Sequence, residues 1–191
     1  MKIHVFLFLF CNVFVAVYAQ TNKVVESDSL YREDQIYIGV TYNALVNLPS
    51  GVSQNSFSTG LHLGVIRDFP INKRRNVAIG LGLGYSINIF NQNIRISSAT
   101  PTTYTILEDI NYSKNNFSQH LLELPLEFRW RTSNSETYKF WRVYTGVKLG
   151  YLLASKSVYK GEPASETHRG LTGLNTMQYG LTLSVGYNTW N

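Results

Sequence analysis

Six charged residues in the C-terminal half of the chain are the first candidates for chemistry: Glu123, Glu127, Arg129, Arg131, Arg142 and Lys148. Two carboxylates serve as a catalytic acid and base only when both reach one bond. Glu123 and Glu127 are four residues apart in a segment that alternates with period two, so on a strand their Cα atoms lie about 13 Å apart. That is too far for a carboxylate pair, and the arginines on the same phase would neutralise them. Metal chemistry has no better footing. His4, His62, His120 and His168 stand in separate segments without ligand spacing, and the one cysteine, Cys11, lies near the N-terminus. Gly80 to Gly84 has the look of a dinucleotide fingerprint, but it lies within an alternating segment and opens no helix. There is no serine-centred nucleophile elbow and no phosphate loop. The expectation is a non-enzymatic protein with no catalytic, cofactor-binding or metal-binding residue.

The elements that carry these residues are six long segments of period two: Gln35 to Val46, Phe57 to Asp68, Val77 to Ile89, Ser118 to Arg131, Tyr138 to Leu153 and Met177 to Tyr187. In the third, Val77, Ile79, Leu81, Leu83, Tyr85, Ile87 and Ile89 share one face, opposite Ala78, Gly80, Gly82, Gly84, Ser86 and Asn88. In the fourth, Leu122, Leu124, Leu126, Phe128 and Trp130 oppose Glu123, Pro125, Glu127, Arg129 and Arg131. Such segments are about twice the usual strand length of roughly 5–6 residues. They match the ~9–11 residues that a tilted strand needs to cross a bilayer. Glycines fall on the polar phase in five of the strands. A soluble sheet would solvate that face with Lys, Glu and Thr, whereas Gly, Ser, Ala and Asn suit a narrow, crowded lumen. Trp130, Trp141, Tyr151 and Tyr187 stand near strand ends on the apolar face, where a lipid-facing aromatic girdle belongs. The fold class expected is therefore all-β: an antiparallel, up-and-down transmembrane β-barrel.

The first 19 residues are a separate object. Lys2, the apolar stretch from Val5 to Val17 and the Val17-Tyr18-Ala19 site form a signal peptide, with cleavage expected before Gln20. Phe10 is too bulky before Cys11 for a lipoprotein signal. Residues 20–34 are polar and unpatterned and read as a periplasmic segment; 35–191 form the barrel domain. Loss of Lys2 reduces the 17 basic residues to 16 against 12 acidic ones, an excess too small and too dispersed for a nucleic-acid partner. Connections alternate between short (69–76 and 132–137) and long (47–56, 90–117 and 154–176), which sets the short turns and both chain ends in the periplasm. The smallest common closed barrel has eight strands. With six visible and the last ending at Trp190-Asn191, the expectation is a C-terminus incomplete by two strands.

Joining the fourth and fifth segments by a turn around Asn134 gives a register in which paired residue numbers sum to roughly 269–271. Glu127 then lies beside Arg142, and Glu123 near Lys148. A buried lumenal ion-pair network is expected, with a charge-lined conduction path as its alternative. Lys73, Arg74 and Arg75 make a basic periplasmic turn that would meet a partner, anionic headgroups or simply water. Pro125 cannot donate to a ladder, so a bulge or kink is expected there.

The segments "FPINKRRNVAIGLGLGYS" (Phe69 to Ser86) and "LLELPLEFRWRTSNSETYKFWRVYTGVKLGY" (Leu121 to Tyr151) resemble the PorT family of outer-membrane β-barrel proteins. In outline the resemblance covers Ile36 to Asn188. It implies an eight-stranded barrel, from which this chain departs by ending early, and a link to type IX secretion. It carries over no catalytic residues. The expected role is a structural or interaction component of the envelope, with outer-membrane lipid and secretion-machinery proteins as partners and no cofactor. The alternatives are a small outer-membrane channel, and a loop-borne enzyme or adhesin.

Overall fold

The computed structural model of the chain describes residues 32–54, 56–108, 112–133 and 139–189. The signal peptide, residues 20–31 of the polar segment, Asn134 and Trp190-Asn191 lie outside them. Nine strands occur among the described residues: β1 (Gln35–Tyr42), β2 (Thr59–Pro70), β3 (Val77–Asn91), β4 (Ile94–Ala99), β5 (Thr102–Ile106), β6 (Tyr112–Arg131), β7 (Phe140–Gly161), β8 (Glu166–Arg169) and β9 (Met177–Asn188). The six long ones pair antiparallel in the order β1-β2-β3-β6-β7-β9 and form one sheet curled into a half-barrel. β1 and β9 are its long edges. β8 pairs with the far part of β7, and β4 with β5 forms a separate hairpin.

Alternation places the two kinds of side chain on opposite faces, and the burial is the reverse of a soluble protein's. Ile38 is 80% exposed, Leu83 50% and Leu181 89%, while Asp68, Arg129 and Arg131 are fully buried. Apolar side chains stand on the convex face, the arrangement that a lipid-facing surface requires, and the polar phase packs into the concavity. Glycine on that phase makes room. A Cβ at Gly80 would meet Arg129 Nε at 2.5 Å, and one at Gly82 would meet Pro125 Cγ at 2.8 Å. The register sets a level row of apolar groups across the sheet: Leu81 opposite Leu126, Leu126 opposite Val147, Val147 opposite Leu181. The residue opposite Leu81 on the other side is Arg67, exposed on the same convex face.

Three features differ from the sequence reading. The stretches 90–117 and 154–176 are largely strand instead of long loops, because β6 and β7 keep pairing from Leu121↔Leu152 out to Tyr112↔Gly161. The reading ended at Leu153 because a bulge between His120 and Leu121 leaves that residue unpaired and inverts the phase of β7. Gly150 is buried before it; Ser155, Ser157 and Tyr159 are buried after it. Second, no bulge sits at Pro125. The β3–β6 ladder keeps its register but omits the pairs between Leu81↔Leu126 and Gly84↔Glu123, which is where the missing N–H would have pointed. Third, the β6–β7 register sums to 273: Arg131 lies opposite Arg142 and Glu127 opposite Gly146. Each partner therefore lies two to four residues further along β7 than the expected sum of 269–271 sets it, and Glu127 and Arg142 are not neighbours.

Candidate functional site

The lumenal charges form two clusters at different heights. Nearest the short turns, Asp68 on β2 joins Arg129 and Arg131 on β6. Arg129 Nη1 donates to Asp68 Oδ1 at 3.3 Å, and Arg131 Nη2 to Asp68 Oδ2 at 2.9 Å. Arg129 Nε donates to Glu127 Oε2 at 3.0 Å and Nη2 to Gln35 Oε1 at 2.9 Å, while its guanidinium lies 4.6 Å over the Tyr144 ring. Arg131 also donates twice to the Arg75 carbonyl, at 3.0 and 2.7 Å. Carboxylates and carbonyls face both guanidinium groups, and burial strengthens each charge-assisted bond between them.

The residues just before β1 are part of this cluster. The Glu33 carbonyl accepts from Arg129 Nη1 at 3.1 Å, its backbone N–H donates to Asp68 Oδ2 at 3.3 Å, and Tyr144 donates its hydroxyl to Glu33 Oε2 at 2.8 Å. Asp34 Oδ1 accepts the backbone N–H of Asp68 at 2.9 Å. The end of the polar segment is therefore latched into the mouth of the lumen.

Higher in the lumen, Glu123 Oε1 accepts from Ser86 Oγ at 2.8 Å, pairs with Lys148 Nζ at 3.0 Å and lies 3.3 Å from His62 Nδ1. The other nitrogen of His62 is 3.2 Å from Thr41 Oγ1. Open space flanks this partition. One cavity of about 590 Å³ is lined by Tyr37, Glu127, Arg142, Tyr144 and Thr182, and one of about 440 Å³ by Asn88, Phe90, Gln119 and Gln178. Arg142 stands at the edge of the first cluster: its side chain hydrogen-bonds to Tyr144, reaches Asn188 Oδ1 at 3.3 Å and stands near the Phe140 ring.

The structure thus brings Glu123 to Lys148 and Glu127 to Arg129, but not Glu127 to Arg142. Trp130, Trp141, Tyr151 and Tyr187 all stand exposed on the convex face. Trp141 and Tyr187 are opposite each other with ring centroids 5.0 Å apart, and Trp130 lies one strand away opposite Val143. Tyr151 is eight residues further up β7, about 26 Å along the strand. In the basic turn Lys73 and Arg74 are exposed, whereas Arg75 is half-buried with φ at 55°. Sequence reasoning missed Asp68, Glu33, His62 and Tyr144. Asp68 and His62 share the phase of Gly60 and Gly64, so the signal was present in the alternation of β2.

At the opposite end the β4–β5 hairpin is fixed to its surroundings. Arg95 donates to Glu166 at 2.7 and 3.3 Å and lies 4.4 Å over the Tyr159 ring. The hydrogen bond from Arg95 holds the Glu166 carboxyl below its usual range, and the same bond raises Arg95. Buried Asn93 donates to the carbonyls of Gly51 and Leu107 and accepts from the Ser53 N–H. Among the described residues no group of three His, Cys, Asp or Glu side chains could hold a metal ion.

No curated protein and no solved structure matches the chain. Residues 18–191 match the family described as outer membrane protein beta-barrel domain, nearly the whole chain. An apolar convex face, a charged concave one and that match agree, and the chain belongs to the outer-membrane protein β-barrel family.

Proposed function

We propose that the protein is a non-enzymatic, PorT-like structural or interaction component of the outer membrane that serves type IX protein secretion. The observation that carries this reading is the cluster of Asp68, Arg129, Arg131 and Glu33. It fills the lumen at the short-turn end, the periplasmic end by loop length, and supports a rigid frame over an open conduit. Outer-membrane lipid is its surroundings, and other parts of the export machinery are its partners. A strain lacking the gene is expected to release less protein to the medium, and a restored full-length copy to recover it. Unchanged release would remove the secretion role.

One observation favours a second reading, binding by the loops. The β4–β5 hairpin is held by Asn93 and by Arg95, so the long-loop end presents an ordered surface on which Tyr104 is exposed. A chain lacking 94–106 that still supported secretion but lost attachment to a surface would favour an adhesin.

A further inference from the structure

The apolar convex face carries one basic intruder. Arg67 is exposed in the row formed by Leu81, Leu126, Val147 and Leu181, and among the described residues it has no ion pair or hydrogen bond. The carboxylate nearest it in sequence, Asp68, faces the lumen and is committed to Arg129 and Arg131. Asp34, just beyond the β1–β2 ladder on the neighbouring strand, is bound to the Asp68 backbone. Arg67 stands three residues before Pro70, where β2 ends, about 10 Å along a tilted strand. An arginine at that height extends its stem over apolar neighbours and its head toward the membrane surface.

Beyond Pro70 come exposed Ile71, Lys73 and Arg74, with Phe69 exposed just before it. The turn that presents them is held rigid. Asn72 Nδ2 donates to Asn76 Oδ1 at 2.6 Å, Asn72 Oδ1 accepts from the Val77 N–H at 3.2 Å, and Arg75 N–H donates to the Asn72 carbonyl at 3.0 Å. From inside the lumen Arg131 grips the Arg75 carbonyl with two donors. Three exposed cations, apolar side chains interleaved with them and a turn held by hydrogen bonds on both its sides are what an interfacial anion site requires.

We propose that Arg67, Lys73 and Arg74 form a binding site for the phosphate headgroup of an acidic phospholipid in the leaflet that borders the short turns. The charge complementarity is direct: three cations, unpaired among the described residues, border a layer of phosphodiesters. Arg67 meets the headgroup from the hydrocarbon side, and Lys73 and Arg74 meet it from the aqueous side. The site does not depend on a role in secretion.

The test uses the full chain carrying W141F and W190F in lipid nanodiscs, so that Trp130 alone reports. Trp130 lies opposite Val77, at the end of the turn. Its quenching is compared between brominated phosphatidylglycerol and brominated phosphatidylcholine at equal mole fraction in an unbrominated phosphatidylcholine disc. Local enrichment of anionic lipid is about fivefold per basic side chain, so phosphatidylglycerol is expected to be preferred at least about fivefold at low salt. R67Q/K73Q/R74Q is expected to abolish the preference, and R67K to keep most of it. K73Q/R74Q changes only exposed turn positions, and it is expected to lower the preference whether or not R67Q folds. Equal quenching by the two lipids, or a preference unchanged in K73Q/R74Q, would overturn the proposal.

Discussion

Two arginines in this protein make the same pair of contacts in opposite surroundings. Arg129 pairs with Asp68 and lies over Tyr144; Arg95 pairs with Glu166 and lies over Tyr159, further along the same strand β7. Arg129 and Asp68 are wholly buried, whereas the Arg95 and Glu166 side chains are 20% and 26% exposed. Contact geometry alone would rank the outer pair higher, since its shortest bond is 2.7 Å against 3.3 Å. Burial reverses the ranking. Asp68, Arg129 and Arg131 have no exposed surface, so a lost partner leaves a buried charge uncompensated, while the outer pair exchanges its contacts with solvent at little cost. The lumenal cluster thus organises the sheet, and the outer pair only steadies a hairpin.

The largest effect that would break this comparison is removal of the carboxylate shared by both lumenal arginines. Asp68→Asn leaves Arg129 and Arg131 without their common partner and is expected to destabilise the folded protein by about 3–5 kcal/mol, read from the urea midpoint in detergent or lipid. An Asp68→Asn variant as stable as the parent would show that the cluster is not what holds the mouth of the lumen. Gly80→Ala comes next. Its Cβ would meet Arg129 Nε at 2.5 Å, and the displaced guanidinium is expected to cost about 1–3 kcal/mol. Gly39→Ala is the control: nothing lies within 4 Å of its Cβ, and stability should stay within about 0.5 kcal/mol of the parent.

Glu166→Gln is expected to cost less than about 1 kcal/mol, and to cost less still as salt is raised. The outer pair also carries a pH signature. Glu166 has a folded pKa lowered from 4.5, so its contribution is fully present above about pH 4.5 and is lost as pH falls through the lower folded value. Hydrogen exchange of the β4–β5 amides should accelerate in that acid window. Equal acceleration in Glu166→Gln would assign the effect to another group.

The architecture was legible because alternation on a two-faced sheet is strict: all six long strands announce themselves, and so does the phase that carries glycine. What remained hidden depended on events that period two does not encode. The bulge at His120 and Leu121 inverts the phase of β7, so Ser155, Ser157 and Tyr159 read as loop while they line the same concave face. The β6–β7 register depends on how many residues close the hairpin, and a shift of two to four residues in the partner was enough to exchange Arg142 for Arg129 as the partner of Glu127. The part played by Glu33 was out of reach, because a residue with no strand pattern gives no sign that it folds back against Asp68. Arg67 was visible in the sequence, but only the register sets it in a row of leucines and valine and makes its charge unusual.

The central claim is that the apolar face meets lipid and the charged face is enclosed. Single cysteines at Leu83, Leu126 and Leu149 on the convex face, and at the exposed turn residue Lys73, would test it directly in a chain whose own Cys11 is replaced by Ser. In native membranes opened on both sides, a membrane-impermeant maleimide is expected to label position 73 and spare 83, 126 and 149, while a lipid-soluble maleimide labels all four. Labelling of 83, 126 and 149 by the impermeant reagent at the rate seen for 73 would contradict the account.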